Sequence, residues 1–144
     1  LCATRLQREP VDSSILYKTP ELCEKLTDPY DEKADLNQRA RSYLHANCAQ
    51  CHVEAGGGNA MMELEFKKSP DQMRIFDVKP LHHTFDKAEA RLIAPGDPAR
   101  SMIFHRMSMR GAGQMPPLAT SMVDQKAVKL MREWITQLDS KAKR

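Results

Sequence analysis

The stretch LHANCAQCH, Leu44 to His52, places two cysteines three residues apart and a histidine directly after the second one. It contains two of the four cysteines of the chain and two of its five histidines. Thiol and imidazole groups are the side chains with which proteins exchange disulfides, bind metals and attach cofactors. Cys48, Cys51 and His52 are therefore the first candidates for a functional site.

Three chemistries compete for this motif. A C-x-x-C pair can be a thioredoxin-like redox couple, although such a couple needs no histidine after its second cysteine. It can be half of a zinc site, but the other cysteines, Cys2 and Cys23, lie 21 residues apart and offer no second short-spaced pair. The full C-x-x-C-H pattern is typical of covalent haem attachment, in which both thiols bond the porphyrin and the histidine reaches the iron.

Composition limits the class of protein. The chain has 144 residues, enough for one domain, and only 6% of them are aromatic, so a buried porphyrin would add apolar surface to a modest core. A net charge of +3 is too small to favour nucleic-acid binding. No run approaches the roughly 18 apolar residues of a membrane-spanning helix, so we expect no span.

The first part of the chain differs from the rest. We interpret residues 1–34, which contain three prolines, as an extended leader or linker with a short helix near 20–26, and residues 35–144 as one domain. The chain begins at Leu1 without a signal-like segment, so we expect a processed product or a piece of a longer protein. Haem attachment occurs outside the cytoplasm, where Cys2 and Cys23 can form a disulfide or remain two unpaired thiols.

Hydrophobic periodicity predicts three longer helices in the domain, over 34–47, 99–109 and 125–139. Acidic residues stand at or near the start of each, and a helical turn is predicted over 69–73. The stretches 61–66 and 91–94 predict two short strands, so we expect a small β-hairpin within about 61–94. The last helix carries an apolar stripe formed by Val123, Ala127, Leu130, Met131, Trp134 and Leu138.

If a haem is bound, its iron accepts a second axial ligand, and Met/His ligation is typical of electron-transfer cytochromes. Met115 is the best candidate, because two prolines follow it and two nearby glycines permit a close approach to the ring. The methionines within predicted helices are better explained as core residues. Histidine is the rival class of ligand, and the rivals are His45, His82, His83 and His105.

A basic stretch precedes the Met115 loop. Arg100, Arg106 and Arg110 follow one another with no acidic residue between the first and the last. They form either a solvated helix face, or a surface that pairs with haem propionates or docks an acidic redox partner.

These features together resemble a class I cytochrome c domain. The resemblance covers about residues 35–140 and rests on CAQCH after a helix, a Met-Pro-Pro loop some 60 residues later, and a C-terminal helix with Trp134. PGDPARSMIFHRM followed by GQMPPL is similar to C-terminal cytochrome c domains of larger bacterial proteins, some joined to quinoprotein sugar-dehydrogenase modules. One departure is that no proline occurs between Val53 and Ser69, where the family commonly has one whose carbonyl accepts the histidine N–H.

The resemblance implies an all-α fold whose N- and C-terminal helices cross, with Ala40 where the family often has glycine. It implies one haem c attached through Cys48 and Cys51, with His52 and Met115 as iron ligands. We therefore expect an electron carrier rather than an enzyme, monomeric, periplasmic or otherwise extracytoplasmic, serving a redox partner protein or a fused dehydrogenase domain. The alternative is a haem enzyme with an open or labile distal site, similar to a peroxidase.

Overall fold

The first long helix leads directly into the cysteine motif. The computed structural model describes residues 19–138, and in it helix α1 spans Leu36–Cys48. The Asp35 carboxylate caps this helix by accepting a hydrogen bond from the Gln38 N–H at 2.8 Å. The predicted start at residue 34 is therefore two residues early, because Asp35 is the cap and not part of the first turn. The buried face of α1 consists of Arg39, Ala40, Ser42, Tyr43 and Leu44.

Helix α1 packs against the last helix of the described chain. The labels α2 (Pro70–Met73), α3 (Met102–Met107) and α4 (Gln125–Gln137) are used below for the remaining α-helices. Helix α4 packs on α1, and the Trp134 Nε1–H donates to the Asn37 Oδ1 at 3.1 Å. Each large apolar side chain buried here contributes about 1.5–3 kcal/mol to folding. The stripe predicted for α4 is confirmed in its buried members Ala127, Leu130, Met131 and Trp134.

The prediction of one helix over 99–109 is wrong in its first part. A 3-10 turn at Pro98–Arg100 comes first, and α3 starts only after Ser101. The fully buried Ser101 hydroxyl accepts from the Ala94 N–H at 2.9 Å and donates to the Asp97 carbonyl at 2.8 Å. Because these bonds hold Ser101 in an extended conformation, the turn and the helix cannot join.

The predicted β-hairpin of 61–66 with 91–94 is also wrong, since residues 19–138 contain no strand. The 91–94 segment pairs with 75–78 instead: the Ile93 N–H donates to the Ile75 carbonyl at 2.9 Å, and the Asp77 N–H donates to the Ile93 carbonyl at 2.8 Å. These bonds give only an isolated parallel bridge, whereas hairpin strands are antiparallel.

The reason for the different pairing is the short helix α2. Ser69 and Gln72 form a reciprocal capping box at its start, and Arg74 ends it in the left-handed region at φ 54°. The chain reverses there and brings residues 75–78 beside 91–94. The coarse prediction of a helical protein is nevertheless confirmed, because the regular structure of the described residues is helical.

The described part of the predicted leader lies against the helices. The Thr27 N–H donates to the Ser42 Oγ at 3.0 Å, and the Arg39 Nε donates to the Pro29 carbonyl at 3.0 Å. Near its start the short helix predicted at 20–26 is a 3-10 turn, Pro20–Leu22. Cys23 is disulfide-bonded; Cys2, the partner considered for it, lies outside the described residues. Over residues 19–138, no helix has the length and apolar character needed to cross a membrane.

Candidate functional site

The cysteine motif forms one tight turn at the end of α1. The Cys51 N–H donates to the Cys48 carbonyl at 3.1 Å, and the His52 N–H donates to the same carbonyl at 2.9 Å. Cys48 is half-buried, Cys51 is exposed and neither forms a disulfide, whereas His52 is only 7% exposed. The structure thus places these three predicted site residues together on one turn.

The electrostatics of Cys48 do not suit a redox dithiol. The pKa of the Cys48 thiol is raised to about 12, chiefly by burial and to a lesser extent by the nearby Cys51. Reactive thiols have lowered pKa values and commonly sit at helix N-termini. Cys48 is the last residue of α1, where the helix dipole disfavours a thiolate. The thioredoxin-like interpretation is therefore not supported.

The imidazole of His52 is buried with an unpartnered nitrogen. Its Nδ1 is shielded from solvent and has no hydrogen-bond partner. Burial lowers the pKa of His52, and a hydrogen bond to the Ala60 backbone acts in the opposite direction. A neutral imidazole is the form that binds metals, and a ligating histidine usually donates its other N–H to an acceptor.

A glycine-rich loop covers this imidazole. A β-carbon at position 58 would lie 2.6 Å from the His52 Nδ1, and one at position 56 would lie 2.3 Å from the Cys51 carbonyl oxygen. The Gly58 N–H also donates to the Cys51 carbonyl at 2.9 Å. The glycines of this run therefore allow the backbone to lie directly on the turn of the cysteine motif.

A buried carboxylate that the sequence analysis did not single out holds the same loop. Glu63 is 4% exposed, and its Oε2 accepts a hydrogen bond from the Glu54 N–H at 3.1 Å. Its charge is balanced by Arg74, whose Nη2 lies 3.3 Å from Oε1, and by Lys68, whose Nζ lies 3.4 Å from Oε2. No sequence signal pointed to its burial, because in the alternating stretch MMELEF Glu63 shares its predicted face with Glu65.

Met115 lies on a separate loop between α3 and α4. Its N–H donates to the Arg106 carbonyl at 3.0 Å, and its side chain is partly exposed. The Arg106 Nη1 donates to the Gly113 carbonyl at 2.8 Å, and the Arg110 Nη2 donates to the Met122 carbonyl at 2.6 Å. Two arginines, Arg106 in α3 and Arg110 just after its end, thus hold the beginning and the end of the loop.

This arrangement changes the interpretation of the basic stretch. Arg106 and Arg110 bond backbone carbonyls of their own chain, so the picture of a freely solvated face is wrong for them. Arg100 pairs with Asp97, with Nε and Oδ2 2.8 Å apart. These three arginines therefore stabilise the conformation of their own chain, a role that does not depend on a partner protein.

Tyr43 connects the two halves of the candidate site. The pKa of the Tyr43 hydroxyl is raised to about 12, chiefly by burial and then by Asp124 and Cys48, while Arg110 acts in the opposite direction. Cys48 at the end of α1 and Arg110, which holds the Met115 loop, therefore act electrostatically on the same side chain.

The rival histidines have other contacts. The Nδ1 of His45 accepts from the Phe66 N–H at 3.2 Å, and that of His83 accepts from the Phe85 N–H at 2.9 Å. The His105 ring stacks edge-on against Phe85, 4.8 Å away. Within residues 19–138, no group of three or more His, Cys, Asp or Glu side chains could hold a metal ion. That weighs against a tetrahedral zinc site but not against a haem iron, which needs only two protein ligands.

Comparisons of the chain with protein-family models, curated proteins and solved structures find no match.

Proposed function

We propose that this chain is an electron-transfer domain of the class I cytochrome c type. One haem c would be bonded to Cys48 and Cys51, with His52 as proximal and Met115 as distal ligand. The observation that carries the proposal is that two unbonded thiols and a buried imidazole lie on one turn at the end of α1.

The donor set fits the group. Two unbonded thiols and a neutral imidazole on one turn supply two thioether sulfurs and one axial nitrogen. When one ring nitrogen of His52 binds iron, the other carries an N–H that needs an acceptor. The acceptor that we assign to it is the Ala60 backbone, which is already in contact with the ring. It replaces the proline carbonyl of the family and lies just beyond the glycine run.

Bound at this site, the haem would supply one-electron chemistry between Fe(III) and Fe(II). The residues of the chain bind and orient it: the Gly56–Gly58 backbone supports His52, and the arginine clamps support Met115. With both axial ligands in place there is no open site, and this is why we favour a carrier over a peroxidase-like enzyme.

The packing of α1 on α4 supports the proposed class I cytochrome c fold, in which the N- and C-terminal helices cross. The fully buried Ala40 lies in α1, the helix that packs on α4, and the bond from Trp134 to Asn37 joins these two helices. We propose that electrons pass to or from a redox partner protein or a fused dehydrogenase domain, in the periplasm or another extracytoplasmic compartment. Covalent haem attachment is the basis for that location.

The test is maturation of the chain in a host that attaches haem c. The expected result is one haem that survives acid–acetone extraction and gives the pyridine haemochrome of two thioether bonds. Cys48→Ala and Cys51→Ala should each show the shifted haemochrome of one thioether. Gln50→Ala is the matched control, because Gln50 is an exposed position between the two cysteines and should leave the product unchanged.

A colourless chain after maturation would reject the proposal. Ready binding of carbon monoxide by the reduced protein would instead favour the enzyme with an open distal site. The carrier predicts that carbon monoxide binds slowly or not at all while Met115 is present.

A further inference from the structure

Phe85 lies at the centre of a cluster on the segment that precedes 91–94. The centroid of its ring is 4.9 Å from the Arg106 guanidinium carbon, and it packs edge-on against the rings of His83 and His105 at 4.7 and 4.8 Å. Phe85 and Asp86 both adopt positive φ values, 53° and 56°. Such values are unfavourable for a bulky residue and persist only where the surroundings hold them.

The same cluster reaches the Met115 loop by two routes. The Arg106 guanidinium bridges the segments, with Nη2 donating to the His83 carbonyl at 3.0 Å and Nη1 donating to the Gly113 carbonyl at 2.8 Å. Phe85 also touches that glycine: a β-carbon at position 113 would lie only 2.4 Å from the Phe85 Cζ. Gly113 is two residues before Met115.

We propose that Phe85 and Arg106 form a latch through which the segment 81–89 fixes the conformation of the Met115 loop. Arg106 holds this loop twice, by its guanidinium at Gly113 and by its carbonyl at the Met115 N–H. The consequence for iron rests on the proposed function: Phe85 and Arg106 are then positioning residues that determine how firmly Met115 stays bound.

The latch is first tested without reference to haem, by amide hydrogen exchange in the full chain. Phe85→Ala and Arg106→Gln should accelerate exchange of the Met115 amide on the order of tenfold, while α1 and α4 keep their protection. Arg132→Gln is the matched control, because Arg132 lies over the Phe104 ring at 4.8 Å, a contact of the same kind away from the loop. Leu81→Ala, at a 77% exposed position of the same segment, is the second control.

A pair of glycines gives a sharper test of the contact itself. Gly113 and Gly111 both have positive φ values, 86° and 102°, but a β-carbon at position 111 would meet nothing within 4 Å. Gly113→Ala therefore adds a clash with Phe85 to the backbone strain, and Gly111→Ala adds the strain alone. In a Phe85→Ala background the effect of Gly113→Ala on exchange should shrink, and that of Gly111→Ala should not.

The holoprotein then tests the link to the distal ligand. Added imidazole displaces a loosely held methionine, so its affinity should rise on the order of tenfold in Phe85→Ala and Arg106→Gln. Arg106→Lys keeps the charge but not the two-pronged donor, and should recover the effect only in part. Arg132→Gln should bind imidazole like the wild type.

The outcomes separate this inference from the proposed function. If the wild type takes up no haem, the proposed function fails, while accelerated exchange confined to residues 111–122 would still establish the latch. If haem is bound but neither exchange nor imidazole affinity changes, the latch is rejected and the cytochrome proposal stands. Equal acceleration in all helices would also reject the latch, because the variants would then act through global stability.

Discussion

The backbone of Gly58 lies against the imidazole of His52, so closely that a β-carbon there would be 2.6 Å from Nδ1 and 2.7 Å from Cε1. Both residues lie beside the Cys51 carbonyl, to which the Gly58 N–H is bonded. The glycine loop and the turn of the cysteine motif are therefore packed directly against each other. This relationship gives the first prediction.

Gly58→Ala should destabilise the fold by about 1–3 kcal/mol, because the added methyl must displace a buried ring or its backbone. Gly57→Ala is the matched control, since a β-carbon at position 57 meets nothing within 4 Å, and it should change the free energy of unfolding by less than about 0.5 kcal/mol. Urea denaturation of both variants measures the difference. Equal stabilities would show that the loop does not press on His52.

Glu63→Gln should lower the free energy of unfolding by about 1–3 kcal/mol, because a buried carboxylate bonded to the Glu54 N–H loses its charge while Arg74 and Lys68 remain. Arg74 is half-exposed, so solvent reduces the effect below that of a fully buried pair. Glu65→Gln is the control: this carboxylate lies 3.6 Å from Lys68 but is 46% exposed. We expect that control to fall within about 0.5 kcal/mol of wild type in the same denaturation assay.

The features that the sequence predicted well depend on neighbouring residues. Asp35 and Asp124 cap their helices by bonding an N–H three residues ahead, a contact that any local sequence window contains. The turn of Cys48, Cys51 and His52 is likewise set by spacing along the chain. The role of Met115 as a ligand stays a prediction, since it depends on a bound group.

The features that the sequence did not predict depend on distant partners. The 91–94 segment pairs with 75–78 and not with 61–66, because the α2 turn decides which backbone comes near it. The guanidinium of Arg106 binds a carbonyl 23 residues away, so a basic stretch alone cannot distinguish a clamp from a solvated face. The burial of Glu63 in MMELEF likewise could not be predicted, because it depends on the placement of Arg74 and Lys68 around the carboxylate.

His105 should make the stability of the chain depend on pH. Burial lowers the pKa of His105, and the positive charges of Lys87 and Arg106 lower it further, with His83 on the other side of Phe85. The unfolded chain therefore binds this proton more readily. The stabilising contribution is complete above the unfolded pKa of about 6.5 and is lost as the pH falls through the lower folded value. In His105→Gln, urea denaturation between pH 7.5 and 5 should show a shallower loss of stability, and an unchanged slope would contradict the assignment.

Met115→Ala should remove the proposed distal ligand without unfolding the chain, because the Met115 side chain is only partly buried and its N–H bond to Arg106 uses the backbone. In the haem-loaded protein we expect the sulfur-to-iron charge-transfer band of the oxidised form to disappear and the midpoint potential to fall, since methionine ligation raises it. The control is Met122→Ala, a methionine near the end of the same loop whose side chain is 80% exposed, which should keep both properties. Absorption spectra and redox titrations of the two variants decide the assignment. A band that persists in Met115→Ala would move the ligand to another residue, and a band lost in Met122→Ala alone would identify Met122 as that residue.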